Sequence, residues 1–321
     1  MSKVAFVFPG QGAQYVGMGK DFYEQIPVSR KVYTIASEVT GLNLPGLCFK
    51  ENEQIDITEY TQIAMLATEA AMLAALQEKG VKADVAAGLS LGEYGAILTA
   101  GAMSLEDVFR VVRQRGILMQ KAVPTGGAMC AVLGMDGEKI AKICEETEGI
   151  VSVANYNCPG QIVITGEEGA VAAAAEKLKE AGARRCIPLK VSGPFHSEML
   201  KGAGEKLAGV LVDVELKEFS MPYVTNVTAD YVTDISEIKE LLGRQVYSSV
   251  RWQQSVERMI ADGVDTFIEI GPGRTLTGFL KKINKNVTGL HIEKVEELEE
   301  VVRLLLSLIH ISEPTRQEAI S

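Results

Sequence analysis

Ser90 stands at the centre of Gly88-Leu89-Ser90-Leu91-Gly92, a Gly-x-Ser-x-Gly turn between the apolar run Val85-Ala86-Ala87 and a helix-like segment starting at Glu93. A serine at the tip of a sharp strand-to-helix turn is presented as a nucleophile, and the residues two places either side must be small or they collide. The same letters also describe an ordinary glycine-rich turn, but strand, turn and helix in that order favour chemistry. A serine hydroxyl is a weak nucleophile until a base takes its proton, and histidine is the usual base. Three histidines exist: His291 near a late apolar run, His310 in the last residues, and His196, which follows the turn Ser192-Gly193-Pro194-Phe195. His196 is the candidate by elimination, although a lone histidine is as often a satisfied core or surface residue. No acid stands out as its partner, so a carbonyl is an alternative orienting acceptor.

Arg115 is the second position of chemical interest. Over 104–120, Ser104 is a candidate N-cap, and Val108, Val111, Val112, Leu118 and Met119 draw an apolar face. At about 100° per residue Arg115 falls in the middle of that face, with Arg110 and Arg113 opposite. A guanidinium buried there must be paired. The partner is either a core carboxylate, or a substrate carboxylate held by the planar fork, unless the side chain snorkels to the surface. Acyl transfer from Ser90 also needs donors aimed at the oxyanion: the amide of the next residue, Leu91, and one from another strand-end loop, for which Gln11 in Gly10-Gln11-Gly12 is the choice.

These residues need a scaffold. Val4–Phe8 and the run before Ser90 read as buried strands, and residues 61–79 carry apolar residues at helical spacing, so the main body is expected to be α/β with a largely parallel sheet. Residues 127–190 alternate as β-α-β-β-α-β, the order of a ferredoxin-like unit inserted into that body, with a ligand cleft between the two. Further strands are expected over 222–227 and 266–270, the latter entering Gly271-Pro272-Gly273, read as a plain strand-to-helix turn. A last amphipathic helix covers 293–306, and 307–321 reads as a frayed tail without function.

The 321 residues, 47% hydrophobic, can bury a large core without a disulfide or metal staple. A net charge of −10 argues against nucleic-acid or anionic-membrane binding. Five scattered cysteines without a Cys-x-x-Cys pair read as reduced thiols of a cytoplasmic protein. No apolar stretch is long enough for a signal or a bilayer span, and no cluster of metal ligands appears.

Six motifs in order resemble the malonyl-CoA:acyl carrier protein transacylase family: Phe8-Pro9-Gly10-Gln11-Gly12-Ala13-Gln14, the Ser90 turn with Glu93-Tyr94, Arg113-Gln114-Arg115-Gly116 with Met119-Gln120, Asn155 to Gln161, Gly193-Pro194-Phe195-His196, and Glu269 to Gly273. The likeness runs to about residue 300. It implies a hydrolase-like large domain, 1–126 with 194–306, and a ferredoxin-like small domain, 127–193. It implies Ser90 as acylated nucleophile, His196 as base, the Gln11 and Leu91 amides as oxyanion hole, and Arg115 as holder of the malonyl carboxylate. Gln245 matches the position whose backbone carbonyl orients the histidine, and Asn157 and Phe195 are placed against the substrate. Phe195 resembles the form associated with malonyl rather than methylmalonyl selection. Leu89 departs from the family, which commonly has histidine there.

The implied reaction is a ping-pong transfer of malonyl from coenzyme A to the phosphopantetheine thiol of acyl carrier protein in fatty-acid biosynthesis, without a cofactor, by a monomer. A related serine esterase or lysophospholipase is the second reading, disfavoured by a buried cation. A non-catalytic carrier-protein-binding module is the third. An acidic carrier would need a local basic patch, for which Arg184, Arg185, Lys190, Lys281, Lys282 and Lys285 are candidates, or else they are ordinary solvated surface.

Overall fold

Short runs of two to eight residues, most of them rich in apolar side chains, become the strands. In chain order these are β1 (Lys3–Phe8), β2 (Val85–Gly88), β3 (Gly127–Leu133), β4 (Val151–Cys158), β5 (Gln161–Glu167), β6 (Arg185–Pro188), β7 (Tyr223–Val224), β8 (Val264–Ile270) and β9 (Thr288–Ile292). The computed structural model describes residues 3–312. Five strands form a parallel sheet in the order β7-β2-β1-β8-β9, and four form a separate antiparallel sheet in the order β4-β5-β3-β6. The chain is therefore α/β, with its strands divided between the two sheets as the alternation of elements leads one to expect.

Both faces of the parallel sheet are covered, and its central strands β1 and β2 are accordingly near-continuous apolar runs, whereas β8 carries Asp265, Thr266 and Glu269. On β1, Phe6 and Phe8 pack into the cluster that holds the helix Thr58–Glu78, while Ala5 and Val7 point to the opposite cluster with Trp252, Val256 and Phe267. The helix Thr58–Glu78 is buried around nearly its whole circumference, more than a one-sided apolar stripe would require. Its many alanines let neighbours approach from every side while keeping high helix propensity.

The antiparallel sheet is hitched by backbone to the segment that follows the helix Ile238–Gln245. Val250 donates its amide to the Ala154 carbonyl at 2.7 Å, and its own carbonyl accepts from the Tyr156 amide at 2.9 Å. Downstream, the Gly271-Pro272-Gly273 turn leads into the helix Thr275–Ile283, whose first amides donate to the Glu269 carboxylate: Leu276 at 2.9 Å and Thr277 at 2.7 Å. An internal acid thus fills the anion position of that helix N-terminus.

Of the boundaries that differ from expectation, three have a visible cause. The strand over 222–227 shrinks to Tyr223–Val224 because the chain turns at Thr225 and Asn226 to brace the Ser90 turn. The second strand of the 127–190 unit outlasts its apolar run, 150–154, and reaches Cys158, since the bridge to Val250 at Asn155 and the pairing with β5 carry the polar residues along. The last helix runs Val295–Ser312, past the expected end at 306, because no glycine or proline interrupts the chain there. The remainder of the expected tail, 313–321, lies outside the described residues. Among the described residues no helix is long and apolar enough to cross a membrane.

The turn after β2 depends on two close approaches. A methyl group at Gly88 would stand 1.9 Å from the Gly92 carbonyl carbon, and one at Gly92 would stand 2.1 Å from the Phe8 carbonyl oxygen. Both contacts are with backbone, which cannot yield without moving a central strand. Gly88→Ala is expected to cost at least about 2 kcal/mol in denaturant unfolding. Gly209→Ala, in the helix Lys201–Leu211 with open space around it, is expected to be neutral or to stabilise by up to about 1 kcal/mol.

Candidate active site

Ser90 is held at φ 55°, in the left-handed region where a side chain other than glycine is strained. The strain is balanced by fixed contacts. The Ser90 amide donates to the Asn226 side-chain oxygen at 2.6 Å, and the Asn226 amide group donates onward to the Gly88 carbonyl at 2.6 Å. One side chain from the end of β7 therefore ties the two limbs of the turn together, and the serine hydroxyl points into the space above the sheet.

His196 arrives there from a stretch distant in sequence and also has positive φ, 60°. Its Nε2 lies 2.8 Å from Ser90 Oγ, and its Nδ1 lies 2.9 Å from the Gln245 carbonyl oxygen. A carbonyl only accepts, so Nδ1 carries the hydrogen and Nε2 is left to accept the serine proton. Gln245 is the last residue of the helix Ile238–Gln245, where carbonyls lack intrahelical donors and the helix dipole is negative. That helix end takes the place of the acid that the sequence lacks.

Arg115 is 1% exposed, on the apolar face of the helix Leu105–Ala122, as its helical position requires. Ser104 caps that helix by accepting from the Asp107 amide at 3.1 Å. Arg110 lies on the exposed side, whereas Arg113 is half-buried and paired with Glu59 at 3.1 Å. The guanidinium of Arg115 donates to Gln62 Oε1 at 2.7 Å, Gln245 Oε1 at 2.9 Å and Ser90 Oγ at 3.2 Å, and lies over the Tyr94 ring. All the acceptors are neutral, and among the described residues Arg115 makes no ion pair. Burial lowers its pKa from the ordinary arginine value, opposed by Tyr94 and Glu93.

These groups open onto a cleft of about 830 Å³ between the two sheets. Gln11, Ser90, Leu91, Arg115, Asn157, Phe195 and His196 all line it. Gln245 lies beneath its floor, fully buried. The Gln11 side chain is tied back by donating to Thr58 Oγ1 at 3.0 Å, which fixes the loop that carries its amide. Asn226, Gln62 and Glu93 belong to the same constellation; Asn226 and Gln62 have no motif around them, and Glu93 stands in the Ser90 motif without a role assigned to it. Only the order of strands in the sheet, which sets the end of β7 beside the Ser90 turn, brings Asn226 into reach.

The arrangement suits a serine nucleophile with a neutral base. Burial first, and then the Arg115 charge, lower the His196 pKa from 6.5 to about 4, against the raising effect of the Gln245 and Ser248 backbone. The base works only when unprotonated, so kcat/KM is expected to stay flat through the range where an exposed histidine titrates and to fall as pH drops through about 4. The same depression makes the folded state poorer at binding protons than the unfolded chain. The stability contributed is complete above the unfolded value of about 6.5 and declines as pH falls towards the folded one. A pH–rate profile of acyl transfer checks the first point, and an acid limb near 6.5 would contradict it.

Comparison with known proteins adds a lineage to this geometry. Residues 5–301 match the family model described as an acyl transferase domain. The chain is 46% identical over 310 residues to the malonyl CoA-acyl carrier protein transacylase of Bacillus subtilis (strain 168), covering 95% of this chain and 98% of that one. The crystal structure of malonyl CoA-acyl carrier protein transacylase from Clostridium perfringens Atcc 13124 superposes with a TM-score of 0.94 at 45% identity, over 97% of this chain and 100% of that one. A malonyl-transacylase solved with its holo type II polyketide-synthase acyl-carrier protein superposes with a TM-score of 0.91 at 41% identity, over 94% of this chain and 99% of that one.

Proposed function

The chain belongs to the acyl transferase family, and we propose that it is an [acyl-carrier-protein] S-malonyltransferase that moves malonyl groups from malonyl-CoA to acyl carrier protein for fatty-acid biosynthesis. The observation that carries this reading is a buried guanidinium 3.2 Å from the candidate nucleophile with only neutral acceptors around it. A fatty acyl chain offers such a cation nothing, whereas a malonyl carboxylate offers two oxygens to a planar fork.

In the proposed reaction His196 Nε2 takes the Ser90 proton as Oγ attacks the malonyl thioester carbonyl. The oxyanion is received by the Leu91 and Gln11 backbone amides. Coenzyme A leaves as a thiol with the proton from His196, which leaves malonyl-Ser90. The carrier protein's phosphopantetheine thiol then gives its proton to His196 and attacks the ester, and the proton returns to Ser90 Oγ. Gln245 orients the histidine through its carbonyl. Asn157 and Phe195 form part of the cleft wall against the substrate, with the Phe195 ring limiting the space beside the malonyl methylene. Nucleophile, base, donors and anchoring cation all come from the chain, so the scheme calls on no resident cofactor.

The same reading assigns 1–126 with 194–306 to a hydrolase-like catalytic domain and 127–193 to a ferredoxin-like small domain. The β-α-β-β-α-β order and the sheet order β4-β5-β3-β6 support the second assignment. A cytoplasmic setting accords with cysteines that are all unpaired, Cys48, Cys130, Cys144, Cys158 and Cys186.

Mass spectrometry of the intact protein after exposure to malonyl-CoA is expected to show one malonyl adduct mapping to Ser90, absent in Ser90→Ala. Arg115→Ala is expected to lower malonyl transfer about ten- to a hundredfold more than acetyl transfer, the worth of a charge-assisted hydrogen-bonded pair. Equal losses for the two acyl groups, measured as kcat/KM, would remove Arg115 from the assigned role.

A further inference from the structure

Glu93 follows the Ser90 turn, opens the helix Glu93–Ala100 and is fully buried. Its Oε2 accepts from Gln245 Nε2 at 2.7 Å and from the Asn226 amide at 3.0 Å. Its Oε1 has no direct hydrogen-bond partner among the described residues. Burial raises its pKa above the ordinary value, while Gln245, the Asn226 amide, Thr225 and the Arg115 charge favour the ionised form. The groups that reach Oε2 are donors, which suit a carboxylate better than an acid.

Arg115 lies on the other side of the same amide. Gln245 gives its NH₂ to Glu93 and to the Ser90 carbonyl, the latter at 2.9 Å, and so must turn its oxygen to the guanidinium at 2.9 Å. The other titratable groups around Glu93 are the Tyr94 and Tyr223 phenols, and burial pushes both up, leaving them neutral. His196, with its lowered pKa, is neutral as well. Glu93 and Arg115 are then the two charges of this buried network, joined by one amide.

We propose that Glu93 is the counter-charge of Arg115, acting across the Gln245 side chain, and that it limits how tightly the site grips the malonyl carboxylate. The proposal rests on Arg115 as the carboxylate anchor. A transferase has to accept malonyl from one thiol and surrender it to another. A buried guanidinium with no compensation would hold the anion on the enzyme, whereas a fixed negative charge behind it opposes a second one arriving in front.

Glu93→Gln keeps the shape and an acceptor for Gln245 but removes the charge. It is expected to lower KM for malonyl-CoA on the order of tenfold, with kcat falling alongside it as malonyl-Ser90 is surrendered more slowly, while acetyl-CoA parameters change much less. Glu93→Asp, which retains the charge, is expected to bring the malonyl parameters back towards those of the unaltered protein. On an Arg115→Ala background, Glu93→Gln should lose its malonyl-specific effect. If Arg115→Ala itself fails to separate malonyl from acetyl, the anchor assignment falls. If it separates them but Glu93→Gln shifts both substrates alike or raises the malonyl KM, the counter-charge role is overturned. Folding of the aspartate variant but not the glutamine variant would support a requirement for the charge, and failure of both to fold would reduce Glu93 to packing and overturn the proposal.

Discussion

A cation held in the interior without an acid against it is the constraint around which the site is organised. Leaving Arg115 in a dry core with nothing to donate to would be prohibitive, so the fold surrounds it with oxygens that bear no formal charge and with an aromatic face. Each of those partners has a further duty. Gln62 comes from the helix buried beneath the sheet, Tyr94 from the helix after the nucleophile, and Gln245 from the helix whose end meets the histidine. Holding the guanidinium therefore fixes three helices relative to one another.

Gln245 concentrates this coupling in one residue. Its carbonyl selects the histidine tautomer, its amide oxygen meets the guanidinium, and its amide hydrogens meet both the Ser90 carbonyl and Glu93. A serine triad normally spends a carboxylate on the first of these tasks. Here an orphan carbonyl at a helix end performs it, so the nearby carboxylate is free to face the cation instead. Burial, and then the Arg115 charge close by, keep the histidine neutral, and with a carbonyl at Nδ1 no ionised acid opposes them there.

What could be read from the sequence was what is encoded locally. The Ser90 turn is visible because its chemistry needs glycine at two fixed offsets, and Arg115 because apolar residues flank it on both sides along one helical face. His196 follows from the scarcity of histidine and from the Gly193-Pro194-Phe195 turn before it. The alternation of strands and helices across 127–190 was legible because each element is long enough to show its period. By contrast Asn226 sits after a strand of only two residues, and nothing near it in the chain hints that it braces a turn 136 residues earlier. Gln62 is hidden for the same reason, and Glu93, although it stands in the Ser90 motif, shows no role there because its partners come from other elements. Short helices such as Lys20–Gln25 and Leu44–Phe49 complete too few turns to reveal a face.

The hitch at Val250 has a consequence for how the cleft varies. Asn155 and Asn157 sit on the strand pinned there by main-chain bonds, so their separation from the serine is set by peptide groups and not by the identity of any side chain. The wall they form works as a ruler with fixed zero. Exchanging those asparagines would change the polarity of that wall while the gauge of the cleft stays the same, so this face can be altered without retuning the serine and its base.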